Sequence, residues 1–462
     1  MTIQSNAQFR RHDLDALRAV AMLLGIALHG AASFIPNTFW SVQDRQSNDA
    51  FGLFLMAVHG FRMSVFFLLS GFFTAMLWRR RGLRALLQQR FRRVFLPLLF
   101  GMVTVWPLLI GVSIIGEMVN TPNNIGKAAQ LGDVSELNRL VNIGADVNAA
   151  IWGQTPLHVA AAAGQWEAAA WLIDHGADVN AANDKGDTPL DVALVESQRR
   201  VADLLREHDG TAAHEDDQKS RIFSALTGGE LFAHLWFLWF LCWMVAGFAV
   251  CSVIIGRLKV KRLPARWVLS PARYLWLVPL TMLPQASMDP ASFGPDTSSG
   301  LLPMPHVLAY YAVFFGFGAL YYGYQEAAEV RGWWLRLIVG LLVVFPLGLA
   351  FTLENPGEGW TLPAVFLQAL YPWIMAFGLM GFFSRFFSRE NPTLRYISDS
   401  SYFLYLAHLP LIIAVQGIVQ NRPWPAFVKF TLVCVVVTGL LLFVYDHYVR
   451  YRWLGQFLNG PR

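Results

Sequence analysis

Charge is scarce in this chain. Only 15% of its 462 residues are Asp, Glu, Lys or Arg, while 55% are hydrophobic, including 35 Phe and 17 Trp. A soluble fold of this size needs far more polar surface, so the composition indicates a polytopic membrane protein. Acidic residues are rarest inside the apolar runs, which argues against a proton relay or cation transporter built on intramembrane carboxylates. Cysteine is scarce too. Cys242, Cys251 and Cys434 all fall in apolar stretches, and their spacing fits neither a disulfide framework nor a metal motif. They read as small buried hydrophobes, and no metal site is expected. There is no P-loop, GxSxG elbow, HExxH or paired-carboxylate arrangement, which leaves those chemistries without support.

The net charge of +5 conceals an asymmetry. Residues 123–217 hold 6 Lys/Arg against 16 Asp/Glu, a net of −10, so the remainder carries +15. An acidic soluble block is set into a basic membrane protein. The basic excess fits cytoplasmic loops and excludes a nucleic-acid partner as its explanation.

Long apolar runs are abundant. They occur at about 14–35, 51–77, 94–117, 235–256, 268–284, 306–323, 334–353, 361–383, 398–419 and 425–446. Each approaches the length needed for a hydrocarbon core of about 30 Å, the fifth being the shortest. Alternate connections are rich in arginine: Arg10/Arg11, Arg79 to Arg93, Arg257 to Arg273, Arg331/Arg336, Arg385 to Arg395 and Arg450/Arg452. The connections between them (36–50, 285–305, 354–360 and 420–424) are poor in basic residues, so both termini are expected on the cytoplasmic side. Arg10 and Arg11 before an apolar run resemble a signal peptide, but a clear small-residue cleavage site is lacking and a retained first helix is expected.

The third-to-fourth connection holds a repeat. Gly144-Ala-Asp-Val-Asn148 recurs as Gly176-Ala-Asp-Val-Asn180, and Gly153-Gln-Thr-Pro-Leu-His158 as Gly186-Asp-Thr-Pro-Leu-Asp191. Motif and period resemble ankyrin repeats, with a partial first unit, a full second and a third ending near Gly210. His158 reads as a structural hydrogen-bonding residue. Residues 211–222 read as a polar linker. Three preceding spans place this block on the non-cytoplasmic face. Its acidity does not decide the side, because long domains escape the charge rule.

Ionisable side chains inside the spans are the candidates for chemistry, because burying them in lipid is costly. The first span carries Arg18 and His29, eleven residues apart. Eleven steps of about 100° return to within roughly 20°, and the rise is about 16 Å, so the two share one helix face at different depths. Their alternative readings are snorkelling for Arg18 and an inter-helix hydrogen bond for His29. In the second span His59 and Arg62 are i and i+3 on one face, and Arg62 lies too deep to snorkel. His408 is mid-span in SYFLYLAHLPL. His234 begins the fourth span before Trp236 and Trp239, and for those two tryptophans an interfacial aromatic belt is the preferred reading. Arg90 and Arg93 lie one turn apart in RFRRVFLP, suited to bidentate phosphate contacts, though positive-inside bias also accounts for their charge.

LDALRAVAMLLGIALH, FFLLSGFF, the Arg90-x-x-Arg93 pair, HLWFL and SYFLYLAHLP, in this order, resemble the signature motifs of the membrane acyltransferase-3 family. HGFRMSVFFLLSG is most similar to its glucan-modifying, OpgC-type branch. The likeness covers about 10–116 and 230–450. It implies a ten-helix membrane domain that moves an acyl group, succinyl or acetyl, from cytoplasmic acyl-CoA to a hydroxyl of an extracytoplasmic carbohydrate such as a periplasmic glucan. By motif, His29 is the implied catalytic base, with Arg18, Arg90 and Arg93 on the donor side. His59, Arg62 and His408 join as substrate-binding candidates, Arg62 as a candidate oxyanion donor. Acyl-CoA enters as co-substrate rather than bound cofactor. The other expected partners are the carbohydrate, membrane lipid and a protein at the repeats.

The expectation is thus an all-α polytopic protein of about ten transmembrane helices in a bacterial inner membrane, with an all-α ankyrin domain inserted between helices 3 and 4. The boundaries are 10–118, 123–210 and 230–450. Two other classes fit parts of the pattern: a glycan or lipid exporter, and an ankyrin scaffold on a catalytically idle anchor.

Overall fold

The structure, a computed structural model, describes residues 11–36, 40–119, 125–150, 154–183, 186–213, 226–227, 231–258, 262–289, 292–327, 331–354 and 361–459. Arg10, Gly153, residues 355–360 of the seventh connection and most of the expected linker 211–222 lie outside the described residues. The regular elements are helical, as the sequence leads one to expect.

Helix α1 (His12–Ala32) begins with Asp13 and Asp15 in its first turn, which suits the positive end of the helix dipole. Helix α2 (Asp49–Arg90) is capped by Asn48, whose side chain accepts from the Ala50 N–H. Its 42 residues would reach roughly 60 Å at about 1.5 Å each, twice a hydrocarbon core. Gly82 resolves the excess. It takes φ 78° and ψ 172°, open only to glycine at low cost, and breaks the rod. A π-helical turn at Phe91–Phe95 then leads into α3 (Leu96–Val119).

Six short helices follow: α4 (Ile125–Leu131), α5 (Val134–Asn142), α6 (Pro156–Ala163), α7 (Trp166–Asp174), α8 (Pro189–Val195) and α9 (Arg199–Glu207). They stack around their own apolar cluster, including Leu137, Leu157, Leu172, Leu190 and Leu205. The sequence repeat becomes a repeat of hydrogen bonds. Asn148 donates to Gly176 O at 3.0 Å and accepts from Asp178 N–H at 2.8 Å. Asn180 makes the equivalent pair with Asp209 O and Thr211 N–H, at 3.1 and 2.7 Å. Thr155 with His158, and Thr188 with Asp191, form capping boxes. His158 also bonds through Nε2 to Asp187 O at 3.0 Å, and burial holds its imidazole below the usual histidine range.

The membrane body resumes with α10 (Trp236–Leu258), α11 (Tyr274–Gln285), α12 (Pro305–Tyr321), α13 (Trp333–Val339) running through a π-turn into α14 (Phe345–Glu354), α15 (Leu362–Phe386), α16 (Pro392–Val419), α17 (Ala426–Val444) and α18 (Trp453–Asn459). Eight continuous helical runs among the described residues are long and apolar enough to cross a membrane. One of them, Asp49–Ile115, contains both α2 and α3. The fifth expected span falls short: α11 has 12 residues, with Pro279 and Pro284 inside it and a separate turn at Pro271–Arg273 before it. The protein is an all-α, multi-pass membrane protein.

Close packing uses glycine where helices meet. A Cβ on Gly71 of α2 would overlap the Phe315 carbonyl of α12, and one on Gly318 of α12 would overlap the Leu68 carbonyl. Helix α1 occupies the centre of the body, against α2, α15, α16 and α17.

Candidate active site

The face of α1 that carries Arg18, Met22, Gly25 and His29 runs past two successive cavities. The residues fall at i, i+4, i+7 and i+11, which is one stripe of an α-helix.

The first cavity has a volume of about 630 Å³ and is lined by Arg11, Arg18, Arg80, Arg81, Arg90 and Arg93 together with Asp15, Ser398 and Asp399. Arg18 Nη2 donates to Ser398 Oγ at 2.8 Å and stands 3.5 Å from Asp15 Oδ1. Arg90 Nη2 donates to Thr74 Oγ1 at 2.9 Å. The π-turn after Arg90 carries Arg93 and Val94 to the same cavity as the end of α2. Guanidinium groups outnumber carboxylates there, so the chamber suits a polyanion.

The second cavity, of about 370 Å³, is lined by His29, His59, Arg62, His234, His408, Trp40, Tyr405, Thr297 and Ser299 among others. The His408 ring centroid lies 5.3 Å from that of His29 and 5.5 Å from that of His234. Trp40 stacks on His29 at 5.9 Å with planes 18° apart. Hydrogen bonds to carbonyls assign the tautomers. His408 Nδ1 donates to Tyr405 O at 2.8 Å, leaving Nε2 as an acceptor. His59 Nε2 donates to Pro295 O at 2.9 Å and His234 Nε2 to Leu406 O at 3.1 Å, so their Nδ1 atoms are acceptors. A wall of acceptor nitrogens complements a ligand rich in hydroxyl donors.

Arg62 supplies the cation of this chamber. Among the described residues no carboxylate pairs with it, and its buried Nε has no hydrogen-bond partner. It lies against α1 at Gly25, one helical turn before His29, and a Cβ at Gly25 would fall inside contact distance of Arg62 Nη1. A half-buried guanidinium without a counter-charge faces this chamber, and a ligand oxygen carrying negative charge is what would satisfy it.

Four side chains, Met22, Phe66, Phe237 and Tyr405, line both cavities and form a neck between them. The aromatic rings touch in series, Phe66 to Phe237 at 5.6 Å and Phe237 to Tyr405 at 6.0 Å.

A family model described as an acyltransferase domain matches residues 11–445. The chain belongs to this acyltransferase family. Glucans biosynthesis protein C of Escherichia coli strain K12 is 40% identical over 100 residues, 22% of this chain and 25% of the relative. The protein of the same name from strain SMS-3-5 / SECEC is 39% identical over the same extent. The chain spans about a quarter of the length of the curated relatives it matches.

All seven residues singled out from the sequence line one cavity or the other. Arg18, Arg90 and Arg93 share the arginine chamber; His29, His59, Arg62 and His408 share the histidine chamber. His234, read from the sequence as the first residue of the fourth span and not singled out as a site residue, joins the histidine chamber through a short turn at Ala233–Leu235 before α10. Sequence reasoning also passed over Trp40, Tyr405 and Gln416. Among the described residues no group of three histidine, cysteine or acidic side chains is arranged to hold a metal ion.

Proposed function

We propose that this membrane acyltransferase moves a short acyl group, succinyl or acetyl, from acyl-CoA to a hydroxyl of an extracytoplasmic carbohydrate such as a periplasmic glucan. The observation that carries the reading is the pair of chambers stacked along one face of α1: one rich in guanidinium groups, one lined by imidazoles, meeting at an apolar neck. The name of the Escherichia coli relatives supports a glucan as acceptor.

In this reading Arg18, Arg90 and Arg93 hold the phosphates of the donor, and its thin arm carries the thioester through the neck. The acceptor lies in the histidine chamber, its hydroxyls donating to His59 and His408. His29 takes the proton of the attacking hydroxyl as its oxygen bonds to the thioester carbon. The negative charge that develops on the carbonyl oxygen falls to Arg62. The intermediate then collapses, the carbon–sulfur bond breaks, and the thiolate receives the proton from His29. The products are an acyl ester and free CoA.

The arginine chamber faces the cytoplasm, as do both termini, in an inner membrane. Residues 10–118 and 230–450 form the catalytic body in this reading. Residues 123–210 form an ankyrin domain on the periplasmic side, where it selects the acceptor or recruits a protein. Labelled acyl-CoA and purified glucan, supplied on opposite sides of proteoliposomes, test the scheme. Ester label on the glucan is expected with wild type and absent with His29→Gln. Full activity in His29→Gln removes His29 as base. A reporter active only in the periplasm, fused near Gly210, tests the sidedness.

A further inference from the structure

The ring of His29 has a mechanical problem. The last torsion of a histidine side chain is broad, so backbone and rotamer alone do not fix the ring plane. Among the described residues the ring has no hydrogen-bond partner, and no carboxylate orients it. Something else must hold it, because a misplacement on the order of 1 Å can cost about 100-fold in rate.

The wall of the histidine chamber supplies that restraint. Helix α1 stops at Ala32, so the carbonyls of its last turn lack partners within the helix. Gln416, buried on α16, donates from Nε2 to the carbonyls of His29 and Gly30, at 3.1 Å each. Its Oε1 accepts from the indole N–H of Trp40 at 2.8 Å. Trp40 in turn lies on the His29 ring, nearly parallel to it. One side-chain amide thus ties the backbone that carries His29 to the indole that covers its imidazole.

The loop bearing Trp40 is held from its other side. Lys429 of α17 reaches both carboxylate oxygens of Asp44 at 2.7 and 2.8 Å, with both side chains out of contact with solvent. The Asp44 N–H donates to Ser33 O at 2.8 Å, just past the end of α1. The indole is therefore fixed against the end of α1 by two independent attachments.

We propose that Trp40 and Gln416 are positioning residues for acyl transfer. Gln416 sets where the indole lies. The indole sets the plane of the imidazole and stabilises the imidazolium formed when His29 takes the acceptor's proton, since a cation within about 6 Å of a tryptophan face is attracted to it. The inference rests on His29 being the base.

The test compares two substitutions of similar bulk in the intact protein in proteoliposomes. Trp40→Phe keeps an aromatic face and loses the N–H, whereas Trp40→Met fills space without a face. Trp40→Met is expected to lower kcat about tenfold, the order of a desolvated cation–π contact, with both KM values within about twofold of wild type. Trp40→Phe, which keeps the face but loses the bond that places it, is expected to recover part of that loss, and Gln416→Ala to lose kcat without a matching rise in KM. Equal kcat values for Trp40→Phe and Trp40→Met overturn the proposal, as does a fall in which kcat and KM worsen together. Activity in His29→Gln overturns it together with the base assignment. Inactive His29→Gln with equal Trp40 variants overturns the positioning role alone.

Discussion

Gly25→Ala perturbs catalysis with the least damage to the fold. The added methyl has one obstacle, the terminal nitrogen of Arg62, while Arg62 Cζ sits at an ordinary 3.4 Å. A guanidinium is the far end of a flexible side chain, so the clash is relieved by a withdrawal of Nη1 on the order of 1 Å rather than by helix displacement. Ala is also about 1 kcal/mol better than Gly in a helix interior, which offsets part of any packing cost. The folded state therefore persists, with Arg62 out of place. If Arg62 is the transition-state donor proposed above, misplacing it by that distance costs about 100-fold, or about 2.7 kcal/mol of barrier. Initial rates of acyl transfer in proteoliposomes, read beside heat-induced unfolding at fixed scan rate, give the answer. The expectation is kcat down about 100-fold, donor KM within about threefold and unfolding unchanged. Arg62→Ala should lose at least as much. Full activity in Gly25→Ala with loss in Arg62→Ala would refute the geometric argument. Full activity in both would refute the oxyanion role itself.

Other outcomes follow from the same geometry. Arg93→Ala should raise the apparent KM for acyl-CoA about tenfold, because it removes a charged contact in the arginine chamber. Met22→Ala combined with Phe66→Leu widens the neck and should raise use of butyryl over acetyl donor by about tenfold in a competition read by mass spectrometry. Lys429→Met leaves Asp44 buried without its partner and should cost about 3–5 kcal/mol, whereas adding Asp44→Leu should restore most of the unfolding temperature. His158 is held below the ordinary histidine range by burial, so its neutral form favours folding. The unfolded chain binds more protons, and stability of residues 125–213 should fall as pH drops through about 6.5. Hydrogen exchange of that segment at pH 7.5 and 5.5 measures the loss.

The stripe on α1 was legible because helix geometry alone puts Arg18 and His29 on one face. Hydropathy located most apolar helices for a similar reason: in lipid each span must be a helix. The 268–284 run shows where composition fails, since its prolines break up what mean hydropathy treats as continuous. The loop partner Trp40 left no periodic signal, and its stacking on His29 depends on where the chain after α1 folds back. Gln416 and Lys429 were better advertised. A polar amide and an ammonium inside apolar runs are unusual and must find partners. Only the fold names those partners as Trp40 and Asp44. His234 showed only as a histidine at the start of a span, and it is the turn at 233–235 that sets it in the chamber.

The neck has a consequence for the membrane itself. Two polar chambers in one bundle would short-circuit the bilayer if a file of water joined them. At Met22, Phe66 and Phe237 such a file finds no polar atom, and the Tyr405 hydroxyl is already donated to His234 O at 2.5 Å. In the proposed reading the neck passes the acyl arm and keeps the two chambers dry of a common water file. Vesicles carrying wild type should hold a proton gradient, and the Met22→Ala/Phe66→Leu variant should dissipate it. Breadth of acyl choice and electrical tightness are then two settings of the same four side chains.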